Sequence, residues 1–135
     1  MRLPPSRALR FARGIALLVL LVSAMPRALA ADEDSQRLAR GFQALRAMDC
    51  ARCHGRDYDG FVGPSLLAAV RDGDRARFDR MVLDGDAARG MPGYRSQPAV
   101  ASELDAIYAY LVARARGDIP AGKPGAPAEA PGSIR

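Results

Sequence analysis

Cys50-Ala51-Arg52-Cys53-His54 decides how this chain is read: two thiols three positions apart, with the chain's one histidine directly after the second. The spacing suits one chemistry closely. Two sulfurs so placed can add across the two vinyl groups of a haem, and the adjacent imidazole then lies under the iron. The alternatives fit less well. A thioredoxin-like redox pair needs a preceding strand and a βαβ setting, whereas a helical pattern precedes Cys50. Structural zinc needs four ligands, and two Cys with one His leave a place only a carboxylate could fill. A plain disulfide gives His54 no role.

Working outward, residues 34–48 carry Leu38, Phe42, Leu45 and Met48 at the interval of one buried helix face, with Asp34 or Ser35 as cap. Residues 55–64, with three glycines and Pro64, read as loop. Ser65 can open a short helix through Leu66, Leu67 and Val70. Asp74 opens another, carrying Phe78, Met81 and Val82 and ending at Gly85. Residues 85–98 are loop by composition. The last helix carries the stripe Leu104, Ile107, Tyr108 and Leu111, with Ser102 and Asp105 as an acidic capping box and Arg114 and Arg116 suiting its negative end. No period-two alternation appears, so the expected class is all-α.

The first thirty residues have the three parts of an export signal. Arg2, Arg7, Arg10 and Arg13 lead, an apolar run follows from Ile15 to Met25, and Ala28-Leu29-Ala30 precedes a cut before Ala31. The run is short of the roughly 20 residues a spanning helix needs, so no stable membrane insertion is expected after cleavage. Five of the 20 basic residues lie in this segment, leaving 15 basic against 15 acidic. That balance removes the electrostatic motive for nucleic-acid binding. The expected layout is a signal over 1–30, one domain over 31–116, and a flexible Gly/Pro/Ala-rich tail over 117–135. Such a chain is expected to be periplasmic and monomeric.

His54 supplies one axial nitrogen, and no second histidine exists for the other face. A thioether is the obvious candidate for that face. Met1 and Met25 leave with the signal and Met48 is too near Cys50 in sequence to reach the far face, which leaves Met81 and Met91. Met81 has helical spacing with Phe78 and suits core packing. Met91 lies in Gly90-Met91-Pro92-Gly93-Tyr94, a stiffened loop able to hold a weak sulfur ligand, and is the favoured choice.

CARCH, then Gly63-Pro64-Ser65-Leu66, Gly90-Met91-Pro92 and Ile107-Tyr108-Ala109-Tyr110-Leu111, together resemble the class I c-type cytochromes over residues 35–115. The resemblance implies a small fold packed around one covalent haem c, with the terminal helices crossing. It implies contact of Gly41 and Phe42 with Tyr108 and Leu111, and a hydrogen bond from His54 to the Pro64 carbonyl. The candidate cofactor-binding residues are therefore Cys50, Cys53, His54, Pro64 and Tyr94, with His54 and Met91 as iron ligands and no catalytic residues. Arg52, Arg56 and Arg95 are candidates to flank the haem edge or meet its propionates.

The expected function is one-electron transfer between periplasmic redox proteins, from a donor dehydrogenase to an acceptor oxidase or cytochrome. Residues 110–124 resemble the endings of cytochromes serving PQQ-dependent alcohol dehydrogenases, though Gly117-Asp118 stands in the reverse of the order expected there. Two other functions stay open: a haem enzyme or gas sensor with an open sixth position, and a dedicated subunit of a larger oxidoreductase.

Overall fold

A first helix, α1 (31–47), and a last, α6 (Leu104–Arg116), cross where Gly41 lies against the backbone of Ala106 and Ile107. The computed structural model describes residues 31–125, so the expected export signal and the end of the expected tail lie outside the described residues. Chain contacts divide after Asp34, and the fold is that of the second unit, from Ser35 onward.

The crossing depends on the absence of a side chain. A Cβ on Gly41 would sit 2.9 Å from the Ile107 nitrogen and closer still to the Ala106 carbonyl oxygen. Gly41→Ala is expected to force the helices apart and destabilise the fold by about 1–3 kcal/mol, the usual cost of overpacking. A lower thermal midpoint with an unchanged helical spectrum is the expected readout.

Between these helices come α2 (Ala51–His54), α3 (Leu66–Arg71), α4 (Arg75–Asp84) and α5 (Pro98–Ala101). A single turn of 3-10 helix spans Ala87–Arg89, and an isolated bridge joins Asp86 and Met91. All regular elements among the described residues are helical, as the sequence pattern predicts. α3 starts at Ser65, whose hydroxyl accepts the Ala68 N–H at 3.0 Å; α4 starts at Asp74, which accepts from Arg77 at 2.9 Å. α3 packs along α6. The core gathers Ala44, Leu45, Val70, Phe78, Val100, Leu104, Ile107 and Leu111, with Leu38, Phe42 and Met48 packed against it.

Four local expectations are corrected. α1 is already helical at 31–34, so Asp34 and Ser35 lie within it and do not cap it. Ser102 does not cap α6 either: its hydroxyl donates back to the Pro98 carbonyl at 2.5 Å, closing α5. Pro98 is the reason, because its fixed φ suits a first helical position and starts a turn of helix where a loop was expected. Asp105 then accepts from Arg75 Nη2 at 2.5 Å instead of forming a capping box.

The aromatic contact also shifts by two residues. Phe42 meets Tyr110, ring centroids 5.6 Å apart, while Tyr108 faces Phe78 at 5.1 Å and carries the Arg75 guanidinium over its ring at 4.7 Å. Tyr110 is wholly buried and Tyr108 only half-buried, because α6 is covered on two sides, by α1 and by α4.

The described part of the expected loose tail is fastened to the fold. Gly117 ends α6 in the left-handed conformation, with its N–H on the Ala113 and Arg114 carbonyls. The Tyr110 hydroxyl then donates to the Gly122 carbonyl at 2.8 Å, and Arg114 Nη1 reaches Ile119 O at 3.4 Å. Arg114 Nη2 also donates to Asp57 O at 3.3 Å, tying the loop after His54 to the end of α6.

Candidate functional site

The turn out of α1 delivers Cys50 to the core. Cys50 N–H donates to Leu45 O at 3.1 Å, and His54 N–H donates to Cys50 O at 3.0 Å, so the five residues of the motif wind into the single turn of α2. No disulfide joins the two cysteines; Cys50 is half-buried and Cys53 exposed. Burial pushes the Cys50 thiol up to about 11, with nearby Asp49 and Cys53 adding to the rise against the lowering effect of a backbone hydrogen bond.

His54 is 8% exposed and its Nδ1 lies 2.7 Å from the Pro64 carbonyl oxygen. A carbonyl only accepts, so Nδ1–H is the donor, and in the neutral ring Nε2 keeps its lone pair. Gly63 makes room for the ring: a Cβ there would lie 3.1 Å from both Cε1 and Nδ1 of the imidazole. Its N–H donates to Cys53 O at 2.7 Å, so the turn that presents Pro64 is anchored on the motif itself.

These side chains open onto one cavity of about 350 Å³. Cys50, Cys53, His54, Pro64, Met81, Met91 and Tyr94 all line it. Leu45, Phe78, Val100, Ile107 and Leu111 supply apolar walls. Both candidate methionines thus reach the space, and they differ in what holds them. Met81 belongs to α4. Met91 is held by a backbone pair with Asp86, donating to Asp86 O at 3.0 Å and accepting from Asp86 N–H at 2.9 Å. The loop is then laid back on the end of α4, where Tyr94 N–H meets Val82 O at 3.1 Å and Arg95 N–H meets Leu83 O at 3.0 Å.

The donor set fits a covalent haem. Paired thiols, an imidazole with a free lone pair, thioethers, and an otherwise mostly apolar wall are what the group requires. Structural zinc finds no support, because no group of three or more His, Cys, Asp or Glu among the described residues could hold a metal ion.

Other expected site residues lie differently. Arg95 is bound to Asp84 through Nε at 3.0 Å and Nη2 at 2.5 Å, while Arg52 and Arg56 are exposed. The sequence reading missed Arg89, which lines the cavity and pairs with Asp86 at 3.4 Å. An arginine directly before Gly90-Met91 was the available signal.

It also missed Tyr58, 2% exposed and edge-on to Tyr110 at 6.2 Å. Its backbone is left-handed, φ +64°, and its carbonyl accepts from Leu66 N–H at 3.0 Å. The hydroxyl has no partner among the described residues, and burial, with smaller contributions from Tyr110 and Cys50, pushes it from the ordinary value of 10.0 up to about 12. An unsatisfied buried hydroxyl costs stability, so Tyr58→Phe is expected to leave stability unchanged or raise it by about 1 kcal/mol. Because the folded value exceeds the unfolded one, the neutral phenol's contribution is complete below about pH 10 and is lost as pH rises toward about 12. Denaturant midpoints across that window should fall less steeply in Tyr58→Phe than in the parent.

Residues 36–111 match the protein family described as "Cytochrome C oxidase, cbb3-type, subunit III". The chain is 34% identical over 110 residues to cytochrome c-555 of Methylococcus capsulatus, covering 81% of this chain and 86% of that protein. It is 34% identical over 83 residues to cytochrome c-553I of Paracoccus denitrificans, covering 56% of this chain and 37% of the relative. A third likeness, 31% over 117 residues, is to the cytochrome bc1 complex cytochrome c subunit of Mycobacterium leprae, covering 79% of this chain and 38% of that one. No solved structure matches the chain significantly.

Proposed function

The chain belongs to the c-type cytochromes, haem-bearing electron carriers rather than enzymes, and on that premise we propose that it is a periplasmic one-electron shuttle with a single haem c held by Cys50 and Cys53 and ligated by His54 and Met91. The observation that carries the proposal is the convergence of paired thiols, a tautomer-fixed imidazole and the Met91 loop on one mostly apolar cavity. Haem c supplies a one-electron couple between ferrous and ferric iron there.

The protein's own residues do the rest. Pro64 O accepts a hydrogen bond from His54 Nδ1–H, which orients the ring and strengthens Nε2 as an electron-pair donor. Met91, on a loop fixed by Asp86, offers a thioether that favours the reduced state. Leu45, Phe78, Ile107 and Leu111 keep water away and so disfavour the more highly charged oxidised state. Tyr94 lines the same cavity, and Arg89, paired with Asp86 at 3.4 Å, would offer a cation to the carboxylates of a haem held there. With His54 and Met91 both committed to the iron of a bound haem, small molecules would find no open coordination site.

Respiratory redox proteins are the partner class, given the family description and the bc1-complex relative. Within it, the proposed donor is a periplasmic dehydrogenase, with the PQQ-dependent alcohol dehydrogenases as the class the ending resembles, and the proposed acceptor is a terminal oxidase. Export would rest on the signal over 1–30; no helix among the described residues is long and apolar enough to cross a membrane.

A second reading, a dedicated subunit of a larger oxidoreductase, draws on two relatives of which the chain spans only 37% and 38%. Redox titration of the purified protein tests the first reading. One reversible one-electron wave, a low-spin spectrum and a far-red ferric sulfur-to-iron band are expected, while a high-spin ferric spectrum with rapid carbon monoxide binding contradicts it. Comigration of haem stain with a large complex favours the second.

A further inference from the structure

Arg95, expected from the sequence to flank the haem edge or meet its propionates, is bound instead to Asp84 across the base of the Met91 loop. Residues 85–94 leave α4 at its last residue, Asp84, and return alongside it. The outgoing and returning backbones touch. A Cβ on Gly85 would sit 2.6 Å from Gly93 N and from Met91 O, and one on Gly93 would sit 2.7 Å from Asp84 O. Two hydrogen bonds fasten the returning chain to the last turns of α4, from Tyr94 N–H to Val82 O and from Arg95 N–H to Leu83 O. The Arg95 side chain then spans the neck of the loop: its Nε and Nη2 both donate to Asp84 Oδ1, at 3.0 and 2.5 Å. Arg95 and Asp84 both stand outside the cavity lining.

Met91 is therefore held by closures in series, from the Asp86 bridge inside the loop to the ion pair at its base. We infer that Arg95 is a positioning residue, whose pair with Asp84 is a latch that keeps the Met91 sulfur from being exchanged for an outside ligand. The inference rests on the haem-bearing reading above, with Met91 as sixth ligand. The Arg95 and Asp84 side chains are 65% and 51% exposed, so the pair shifts the balance between closed and open loop only a few-fold, and salt screens it. Backbone hydrogen bonds and the glycine contact are not screened in this way. The Arg89–Asp86 pair lies inside the loop and is common to parent and variants, so the latch is read from the difference between them.

Imidazole is the probe, because it would reach the iron only once the Met91 sulfur has left, and its apparent affinity scales with the open fraction. The exchange breaks an iron–sulfur bond and makes an iron–nitrogen bond, with no electron moved. Ferric holoprotein is titrated with imidazole at low and high salt, following loss of the far-red band. Arg95→Gln and Asp84→Asn should each bind imidazole about threefold more tightly than the parent at low salt. The double variant should bind no more tightly than either single one. At high salt the differences should vanish. Arg95→Lys should fall between the parent and Arg95→Gln, since one ammonium does not reproduce the two forked donors. Arg40→Gln, which breaks another partly exposed pair, with Glu103 at the α1–α6 crossing, should keep the parental affinity. The reduction potential should stay unchanged throughout, because the closed loop still predominates.

Parental imidazole affinity in Arg95→Gln at low salt overturns the inference, as does additivity in the double variant or a difference that persists at high salt. An equal rise in Arg40→Gln overturns it too, by tracing the effect to general stability. A lowered potential with unchanged affinity would make Arg95 a charge acting directly on the haem, with the same consequence. A parent without the sulfur-to-iron band would instead remove Met91 as ligand, and the latch with it, a result read before any variant is made.

Discussion

Replacing Cys50 and Cys53 together by alanine is expected to yield a colourless chain with little native structure. The two thiols do more than mark an attachment point. Cys50 is half-buried and packs against the core, and the cavity beside it takes its walls from α1, α4 and α6. A cavity of about 350 Å³ left without a retained group would cost roughly 8 kcal/mol at the coefficient for unfilled core volume. That figure is an upper bound for a space open to solvent. It still rivals the whole stability of an ordinary small domain, about 5–15 kcal/mol. The remaining core is thin, with Tyr58, Tyr110 and Leu111 the largest wholly buried side chains. Circular dichroism and haem staining of the doubly substituted chain, made alongside the haem-attachment machinery, provide the check. Near-parental helix content would mean that the polypeptide packs without its cofactor.

Met91→Ala should lower the reduction potential by on the order of 0.1 V, a fraction of the roughly 0.8 V over which axial ligands move haem potentials. The far-red sulfur-to-iron band should disappear, and added imidazole or carbon monoxide should bind. Met81→Ala should keep the band and lose about 1 kcal/mol of stability, less than a fully buried methionine would because Met81 is only half-buried. The contrast is needed because both side chains line the cavity. What separates them is the backbone. Met91 is fixed by two hydrogen bonds to Asp86 in a loop tied to the end of α4, whereas Met81 moves only as α4 moves. Loss of the band in Met81→Ala alone would exchange their roles.

The site was more legible in the sequence than the elements that frame it. The CARCH spacing is local, and its geometry follows from one helical turn, so chemistry could be read without knowing the fold. Gly41 was legible because a missing side chain next to Phe42 has few uses in a helix other than close approach. The partner of Phe42 was not legible. Tyr108 and Tyr110 both suit a stripe on α6, and the choice depends on how α1 and α4 divide its surface.

Ser102 shows the opposite failure, where a good local signal was taken over by the turn that Pro98 starts. Tyr58 gave no periodic signal at all. It is buried by a left-handed backbone inside a segment whose composition says loop, and only tertiary contacts with Tyr110 reveal it.

The intact mass of the exported protein, taken after denaturation and organic extraction, bears most directly on the central claim. A mass equal to polypeptide plus one haem, with absorbance remaining on the chain, is the expected result. Bare polypeptide, with pigment absent or fully extracted, would contradict it.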